Sequence, residues 1–247
     1  MSPSLTDRLL VPDWPAPANV RALQTTRLGG VSVAPYASLN LGSHVGDAPL
    51  NVERNRMQLN TMLPSEPVWL EQVHGTVVAD ADMAGCRTVA DASIARHSGS
   101  VCVVMTADCL PVLLCDKAGS VVAAVHAGWR GLAAGVIEAA VLAMAVSPQN
   151  LMAWMGPAIS RQAFEVGEDV RAVFVDADQQ AAAAFIPGQP GKYLADIYAL
   201  ARLRLKALGI SQIYGGDRCT YSEPDQFFSY RRDGVTGRQG TFIWLEK

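Results

Sequence analysis

The 247-residue sequence contains only four histidines and five cysteines, and it lacks the common signatures that arrange such residues for catalysis. It has no CxxC pair, no HExxH helix, no P-loop and no GxGxxG turn after a strand. The cysteines are odd in number and have no framework spacing, which argues against a disulfide scaffold. We therefore expect a reduced, cytoplasmic protein.

Apolar runs of membrane-spanning length and basic stripes or tails are also absent. The net charge is −3, with acids and bases interspersed, so we expect no nucleic-acid partner and no anionic membrane surface. No apolar segment is long enough to cross a membrane, and the first twenty residues lack the basic and apolar regions of a signal peptide. No heptad repeat or exposed apolar stripe is visible, and we expect a monomer.

Half of the residues are hydrophobic, which is enough for one sizeable core. No repeat or linker divides the chain, so we expect a single domain over residues 1–247. Short apolar segments bounded by turns predict strands, and apolar residues at helical spacing predict helices. Strands are expected at 20–30, 67–75, 100–107, 111–116, 120–127, 151–156 and 240–247, and helices at 132–146, 166–177 and 193–210. Hairpins outnumber regular βαβ units, which favours the α+β class.

A lone cysteine and a lone histidine stand at the two ends of one expected hairpin. Cys109 follows the letters MTAD and His126 begins HAGWRG, at similar distances from the turn KAG. His74, at the end of EQVHG, would join them from elsewhere in the sheet. Two imidazoles and one thiolate leave the fourth position of a tetrahedral zinc open, as in catalytic sites. Asp108 is then a candidate orienting group or general base, and Gln72 a candidate hydrogen-bond partner of a ligand.

Each of these residues also has a purely structural interpretation. A buried cysteine often packs as a small hydrophobe, and a histidine at a strand end can be an ordinary core or surface residue. Of the other histidines, His44 is a weaker candidate and His97 reads as an exposed loop residue. The other cysteines are interpreted as packing residues, namely Cys86, Cys102, Cys115 and Cys219.

Several polar residues near glycine-rich turns are candidates for binding substrate or phosphate. Arg130 precedes a predicted helix, where free backbone N–H groups favour an anion. The stretch FFSYRRDGVTGR concentrates further arginines, including Arg232 and Arg238. The candidate binding residues are Arg27, Asn40, Gln72, Arg130, Ser229 and Arg231. Structural turns and solvated charged loops explain the same residues.

The motifs EQVHG, TADCLPVLLCD, AVHAGWRGL and CTYSEPDQFFSYRRDGVTGR closely resemble those of the bacterial YfiH family, also called laccase-domain proteins. The likeness runs in order from VPDWPAP to TFIWL. It implies an α+β domain of layered α/β/β/α architecture with mixed sheets, the CNF1/YfiH-like fold. It also implies that His74, Cys109 and His126 bind a metal ion.

The resemblance implies a zinc-dependent phosphorylase of adenosine, inosine, guanosine and methylthioadenosine that also deaminates adenosine. Its partners would be purine nucleosides and inorganic phosphate. Family members are also described as copper polyphenol oxidases and as editors of a peptidoglycan precursor, so a metal-dependent amidase and a laccase-like oxidase are the alternatives. Four histidines are too few for a multicopper centre, which disfavours the laccase role. A site with two histidines and one cysteine nevertheless accepts copper as well as zinc.

Overall fold

The computed structural model describes residues 5–83 and 88–247, apart from the side chain of Asp7. The interpretation of Cys86 as a packing residue lies outside the described residues. The strands are β1 (Leu9–Leu10), β2 (Val20–Thr25), β3 (Leu70–Glu71), β4 (Val78–Asp80), β5 (Thr88–Val89), β6 (Ala92–Ala95), β7 (Val101–Thr106), β8 (Leu110–Asp116), β9 (Val122–Ala127), β10 (Leu151–Met155), β11 (Glu165–Gly167), β12 (Phe185–Pro187), β13 (Lys192–Ala195), β14 (Gln212–Gly215) and β15 (Gln239–Leu245). The helices are α1 (Pro49–Asn60), α2 (Trp129–Ala134), α3 (Val136–Met144), α4 (Glu168–Ala177), α5 (Ile197–Ala207) and α6 (Tyr230–Asp233).

Two large sheets pack face to face at the centre of the fold. The four-stranded sheet has the order β1-β2-β15-β7 and is antiparallel throughout. The six-stranded sheet has the order β14-β10-β8-β9-β6-β4 and mixes parallel with antiparallel pairs. Successive side chains of β7 point to opposite faces, so Cys102 and Val104 pack between the sheets while Val103 and Met105 face outwards.

Helices cover the outer faces of both sheets. Leu59 of α1 packs with Val103 and Met105 on the outer face of the four-stranded sheet. Helices α2 to α5 cover the six-stranded sheet, where Ile137 and Leu200 pack in the largest core cluster. The layer order is therefore α/β/β/α, which confirms the architecture and the mixed sheets that the resemblance implied.

The predicted hairpin is formed by β8 and β9. Leu110 lies opposite Ala127, and Pro111 lies opposite His126. Every residue of both strands is buried. Because both faces of the sheet are covered, the two strands are nearly continuous apolar runs and do not alternate with polar residues.

Two of the predicted helices differ in extent from the sequence prediction. The pattern over 193–210 predicted one helix, but α5 begins only at Ile197, where the carboxylate of Asp196 caps it by accepting the N–H of Ala199 (2.9 Å). The residues just before this cap belong to β13. The helix predicted over 132–146 is divided by Gly135, whose φ of 98° ends α2. No described helix has both the length and the apolar character that a membrane crossing requires.

Candidate metal centre and cavity

The β8–β9 hairpin places Cys109 and His126 side by side at one end of the six-stranded sheet. Cys109 directly precedes β8, and His126 is the penultimate residue of β9. Gly128 leaves room for the cluster, because a Cβ atom there would lie 2.8 Å from the His74 ring and 3.0 Å from the Cys109 sulfur. A side chain at this position would therefore displace both groups.

The three predicted ligands come together as one cluster. The Sγ atom of Cys109 lies 3.7 Å from Nε2 of His74, and the rings of His74 and His126 are 4.8 Å apart between centroids. One donor atom from each of the three residues lies within 4.8 Å of the others. His126 is only 3% exposed, Cys109 is half-buried and His74 is exposed. The cluster therefore extends from the core to the surface.

Asp91 holds His126 from the buried side of the cluster. Its carboxylate accepts a hydrogen bond from the Nδ1–H of His126 (2.8 Å), and its backbone carbonyl accepts the N–H of the same residue (2.7 Å). The Asp91 side chain is fully buried. Burial works to raise its pKa, but the hydrogen bonds from His126 and from the N–H groups of Gly75 and His74 bring the pKa below its ordinary value.

The charges of the cluster suit a metal ion. Burial works to raise the pKa of the Cys109 thiol, but the neighbouring imidazoles, above all His126, lower it to about 6. Burial works to lower the pKa of His126, but Cys109 and Asp91 raise it to about 9. Metals bind the thiolate form of cysteine. The bond to Asp91 occupies Nδ1 of His126, so a metal ion would take Nε2 in place of a proton. The donor set fits a divalent zinc or copper ion.

The cluster opens onto a cavity of about 510 Å³. This volume lies within the range of small-molecule sites, roughly 300–1,000 Å³. Aromatic and aliphatic side chains form part of the wall, and basic side chains form another part. The larger apolar members are Met105, Trp129, Ile159, Phe164, Ile197 and Tyr230, and the basic members outside the cluster are His44, Arg130, Arg231 and Arg238.

Asp108 lies in the cavity wall, but its carboxylate is occupied. Oδ1 accepts the hydroxyl of Thr220 (2.6 Å), and Oδ2 accepts the backbone N–H of Arg231 (2.6 Å). Its φ of 90° lies in the left-handed region, which is unusual for a residue other than glycine. Both contacts join the cysteine segment to the segment that carries α6, an arrangement suited to the orienting role.

Three of the predicted binding residues line the cavity, and their side chains make different contacts. Arg130 is exposed and its guanidinium lies 4.4 Å from the ring centroid of Trp129. Arg231 donates from Nη1 to the carbonyl oxygens of Ala163 and Glu165. The amide of Gln72 is engaged at both ends with the backbone of Met105, at 2.8 Å each.

The other three predicted binding residues do not line the cavity. Arg27 donates to the carbonyl oxygens of Ala37 and Pro224. Asn40 is fully buried, where its amide bonds Gly42, Asp47 and the backbone of Arg238. Ser229 is also fully buried and caps α6 through a bond from the N–H of Arg232 (3.2 Å). The structure therefore gives these three residues loop and cap contacts.

Sequence reasoning missed Asp91 and ranked His44 only as a weaker candidate. Asp91 sits in the unremarkable letters ADAS, and its partners are mostly backbone groups without a sequence signature. His44 does line the cavity; burial, with Arg238 nearby, lowers its pKa. A signal for His44 was available, since it stands in a glycine-flanked turn like the two histidines of the cluster. His97 lies elsewhere, 79% exposed by side chain and 3.4 Å from Asp82, as the sequence predicted.

Comparisons with known proteins agree along nearly the whole chain. The family model described as multi-copper polyphenol oxidoreductase laccase matches residues 21–246. A Shigella flexneri protein named purine nucleoside phosphorylase YfiH is 59% identical over 244 residues, covering 96% of this chain and 99% of the relative. The crystal structure of a Neisseria meningitidis protein of the DUF152 family superimposes with a TM-score of 0.94 at 54% identity, covering 97% of this chain and 100% of that one. The Bacillus licheniformis hypothetical protein YfiH gives a TM-score of 0.84 at 30% identity, over 92% and 93% of the two chains.

Proposed function

The chain belongs to the laccase-domain family of YfiH-like proteins, and from this membership we propose that it is a metal-dependent purine nucleoside phosphorylase. The observation that carries the proposal is a cluster of three metal-ligating side chains on the wall of a substrate-sized cavity. A relative with 59% identity bears the name of this activity. The substrates that we propose are adenosine, inosine, guanosine and methylthioadenosine, together with inorganic phosphate.

We propose zinc as the metal, held by His74, Cys109 and His126. One thiolate and two imidazoles are common zinc ligands, and three protein ligands are typical of catalytic zinc. When bound, the ion supplies a Lewis acid that polarises a substrate atom. The role of the protein is to hold the three donor atoms on the cavity wall.

The cavity offers separate groups for a purine and for phosphate. Trp129 and Phe164 supply aromatic surface on which a purine ring can stack. Arg130, Arg231 and Arg238 supply positive charge, and in the described part of the chain none of the three forms an ion pair with a carboxylate. An unpaired guanidinium retains donors for phosphate oxygens.

The proposed reaction exchanges one bond at the ribose. An oxygen of inorganic phosphate forms a bond to C1′ while the bond from C1′ to the purine nitrogen breaks. The electron pair leaves with the purine, which takes up a proton, and ribose 1-phosphate is released. Asp108 orients this side of the cavity, because its carboxylate holds Thr220 and the backbone of Arg231.

Adenosine deamination is proposed as a companion reaction, in which water replaces the 6-amino group and ammonia is released. Its support is the donor set, since zinc deaminases of nucleobases also combine histidine with cysteine ligands. The polyphenol oxidase activity in the family description is not proposed here. Of the four histidines, His97 lies away from the cavity beside Asp82, so too few imidazoles are left for several copper ions.

The test is product analysis of the zinc-loaded protein with adenosine, in the presence and absence of inorganic phosphate. Adenine and ribose 1-phosphate that form only with phosphate support the phosphorylase, and inosine reports deamination. Adenosine that stays intact in both reactions contradicts the nucleoside function, and amide hydrolysis of a peptidoglycan precursor is then the function to test.

We also propose a cytoplasmic location. Cys102, Cys109, Cys115 and Cys219 are all free thiols, as expected in a reducing compartment. The measurement is fractionation of cells that express the tagged protein, with the cytoplasmic fraction as the expected location.

A further inference from the structure

Asp91 contacts the segments that carry two of the three metal-ligating residues, and we propose that it is the positioning residue of the metal centre. Besides the bond from the His126 ring, its Oδ1 accepts the backbone N–H of His74 (2.9 Å). Its Oδ2 accepts the backbone N–H groups of Val73 (3.2 Å) and Gly75 (2.6 Å). One buried carboxylate thus accepts four hydrogen bonds, three from residues 73–75 and one from His126.

The first consequence concerns the ring of His126. An ionised carboxylate only accepts hydrogen bonds, so Nδ1 of His126 carries its hydrogen and Nε2 is the ring atom left to bind a metal ion. The backbone N–H of His126 bonds to the carbonyl of the same Asp91, which fixes the ring and its backbone together. A histidine held in this way is a more basic and better oriented metal ligand.

The second consequence concerns the backbone of His74. Its φ of 61° lies in the left-handed region, which costs energy for any residue other than glycine. The N–H groups of three consecutive residues, 73 to 75, converge on the Asp91 carboxylate and form an anion-binding nest. Because the His74 side chain is exposed, these backbone bonds, rather than packing, hold it beside Cys109.

The inference rests on the metal part of the proposed function and not on the nucleoside reaction. Removal of a partner that orients a metal ligand typically lowers metal affinity about 10- to 100-fold. Asp91 orients two ligands at once, so the upper end of this range is expected for Asp91→Asn. The amide of asparagine presents an NH2 group where the carboxylate accepted hydrogen bonds, and it carries no negative charge.

Asp82 provides a matched control. Its buried carboxylate accepts the backbone N–H groups of Arg96 (2.8 Å) and His97 (3.2 Å) and lies 3.4 Å from Nδ1 of His97. It therefore combines backbone bonds with a histidine contact, as Asp91 does, but it does not line the cavity. Asp82→Asn should destabilise the fold without changing the metal centre.

The experiment measures the zinc dissociation constant by competition with a chelating dye, in the wild-type protein, Asp91→Asn and Asp82→Asn. The thiolate absorption band of cobalt-loaded protein and the melting temperature are recorded for each. We expect Asp91→Asn to bind zinc about 100-fold more weakly and to alter the cobalt band. Asp82→Asn should remain within about twofold of the wild type, because its contacts are remote from the ligands. Equal zinc affinities of the two variants would overturn the inference.

A second variant covers the case in which Asp91→Asn does not fold. Asp91→Glu keeps the charge but moves the carboxylate by one methylene, so weaker zinc binding is again expected and wild-type affinity would overturn the inference. Failure of the wild type to bind zinc would overturn it as well. The wild type could also bind zinc and yet leave adenosine intact. Weaker zinc binding by the variants would then support the positioning role, and only the nucleoside reaction would be contradicted.

Discussion

The Sγ atom of Cys109 and the Nε2 atom of His74 lie 3.7 Å apart although 35 residues separate them in the chain. Cys109 belongs to the β8–β9 hairpin, and His74 follows the short strand β3. The contact therefore depends on the assembled sheets and is not a local feature of either segment. Local motifs cannot specify such a site, which explains why no compact metal-binding signature is present.

Removal of a metal ligand should abolish metal binding and turnover. Cys109→Ala and His126→Ala each leave two donors, and we expect zinc affinity to fall by at least about 100-fold, more than the loss of an orienting partner. Metal content after gel filtration and phosphorolysis of adenosine are the measurements, with circular dichroism to show that the fold is kept. His97→Ala is the control, because its side chain lies outside the cavity and should leave both quantities unchanged. Full activity in either ligand variant would disprove the metal assignment.

Arg130→Ala should weaken the use of phosphate. The guanidinium is exposed at the cavity, so solvent screens its charge, and we expect the KM for phosphate to rise about two- to fivefold. The effect should shrink at high ionic strength. Arg171→Ala is a matched control, since Arg171 also lies over an aromatic ring, that of Tyr193, but outside the cavity. An unchanged KM for phosphate in Arg130→Ala would remove this residue from the site.

The cysteines should differ sharply in reactivity once the protein has been stripped of metal by a chelator. The pKa of Cys109 is lowered to about 6, whereas burial raises the pKa of Cys102 and Cys115 to about 12 each. Because the thiolate is the nucleophile, iodoacetamide should modify Cys109 before Cys102 and Cys115. The rate should rise as the pH passes through about 6, where the thiolate forms. Peptide mass spectrometry identifies the modified residue.

Added zinc should protect Cys109 from this modification. Earlier labelling of Cys102 or Cys115 would show that the environment of the cluster has been misjudged. Protection by zinc but not by magnesium would also distinguish a thiolate ligand from simple shielding by ions, because magnesium prefers oxygen ligands.

The hairpin turn should contribute acid-sensitive stability through Asp116. Its carboxylate accepts the N–H groups of Ser120 (2.6 Å) and Val121 (3.0 Å). Burial works to raise its pKa, but the bonds from Ser120 and Val121 bring it below the ordinary value. A folded-state pKa below the unfolded one stabilises the protein above the unfolded pKa, about 4, and this contribution is lost as the pH falls further.

Asp116→Asn should therefore lower the free energy of unfolding by about 1–3 kcal/mol at pH 7, because backbone N–H groups lose an ionised acceptor. The difference from the wild type should shrink below about pH 4. Urea unfolding at several pH values measures it. Asp13→Asn, at an exposed position, should change the free energy by less than about 0.5 kcal/mol at every pH. A pH-independent difference for Asp116→Asn would contradict this account.

The sequence predicted those parts of the fold that depend on local pattern. The hairpin between Cys109 and His126 was readable, because two apolar runs flank an evident turn. The start of α5 could not be predicted from the sequence, since the apolar spacing continues through β13. Only the cap at Asp196 separates the strand from the helix. The extent of a single domain over the whole chain stays a prediction.

The site was predictable where the type of residue by itself indicates the chemistry. His74, Cys109 and His126 stood out because few side chains bind zinc. Asp91 did not, because its role arises from hydrogen bonds to backbone groups, which every residue possesses. Asn40 was placed among the candidate binding residues, yet its amide bonds Gly42, Asp47 and the backbone N–H of Arg238. A polar residue in a loop can bond the loop itself or a ligand, and sequence pattern alone does not separate the two.

The position of β15 has a consequence for how the protein emerges from the ribosome. This strand, made after all the others described, lies between β2 and β7 in the four-stranded sheet. Until the chain has been synthesised through Leu245, β2 and β7 have no common neighbour, and Arg238, just before β15, cannot reach the cavity wall. A nascent chain can thus carry all three metal-ligating residues outside the exit tunnel while the four-stranded sheet still lacks the strand that joins β2 to β7.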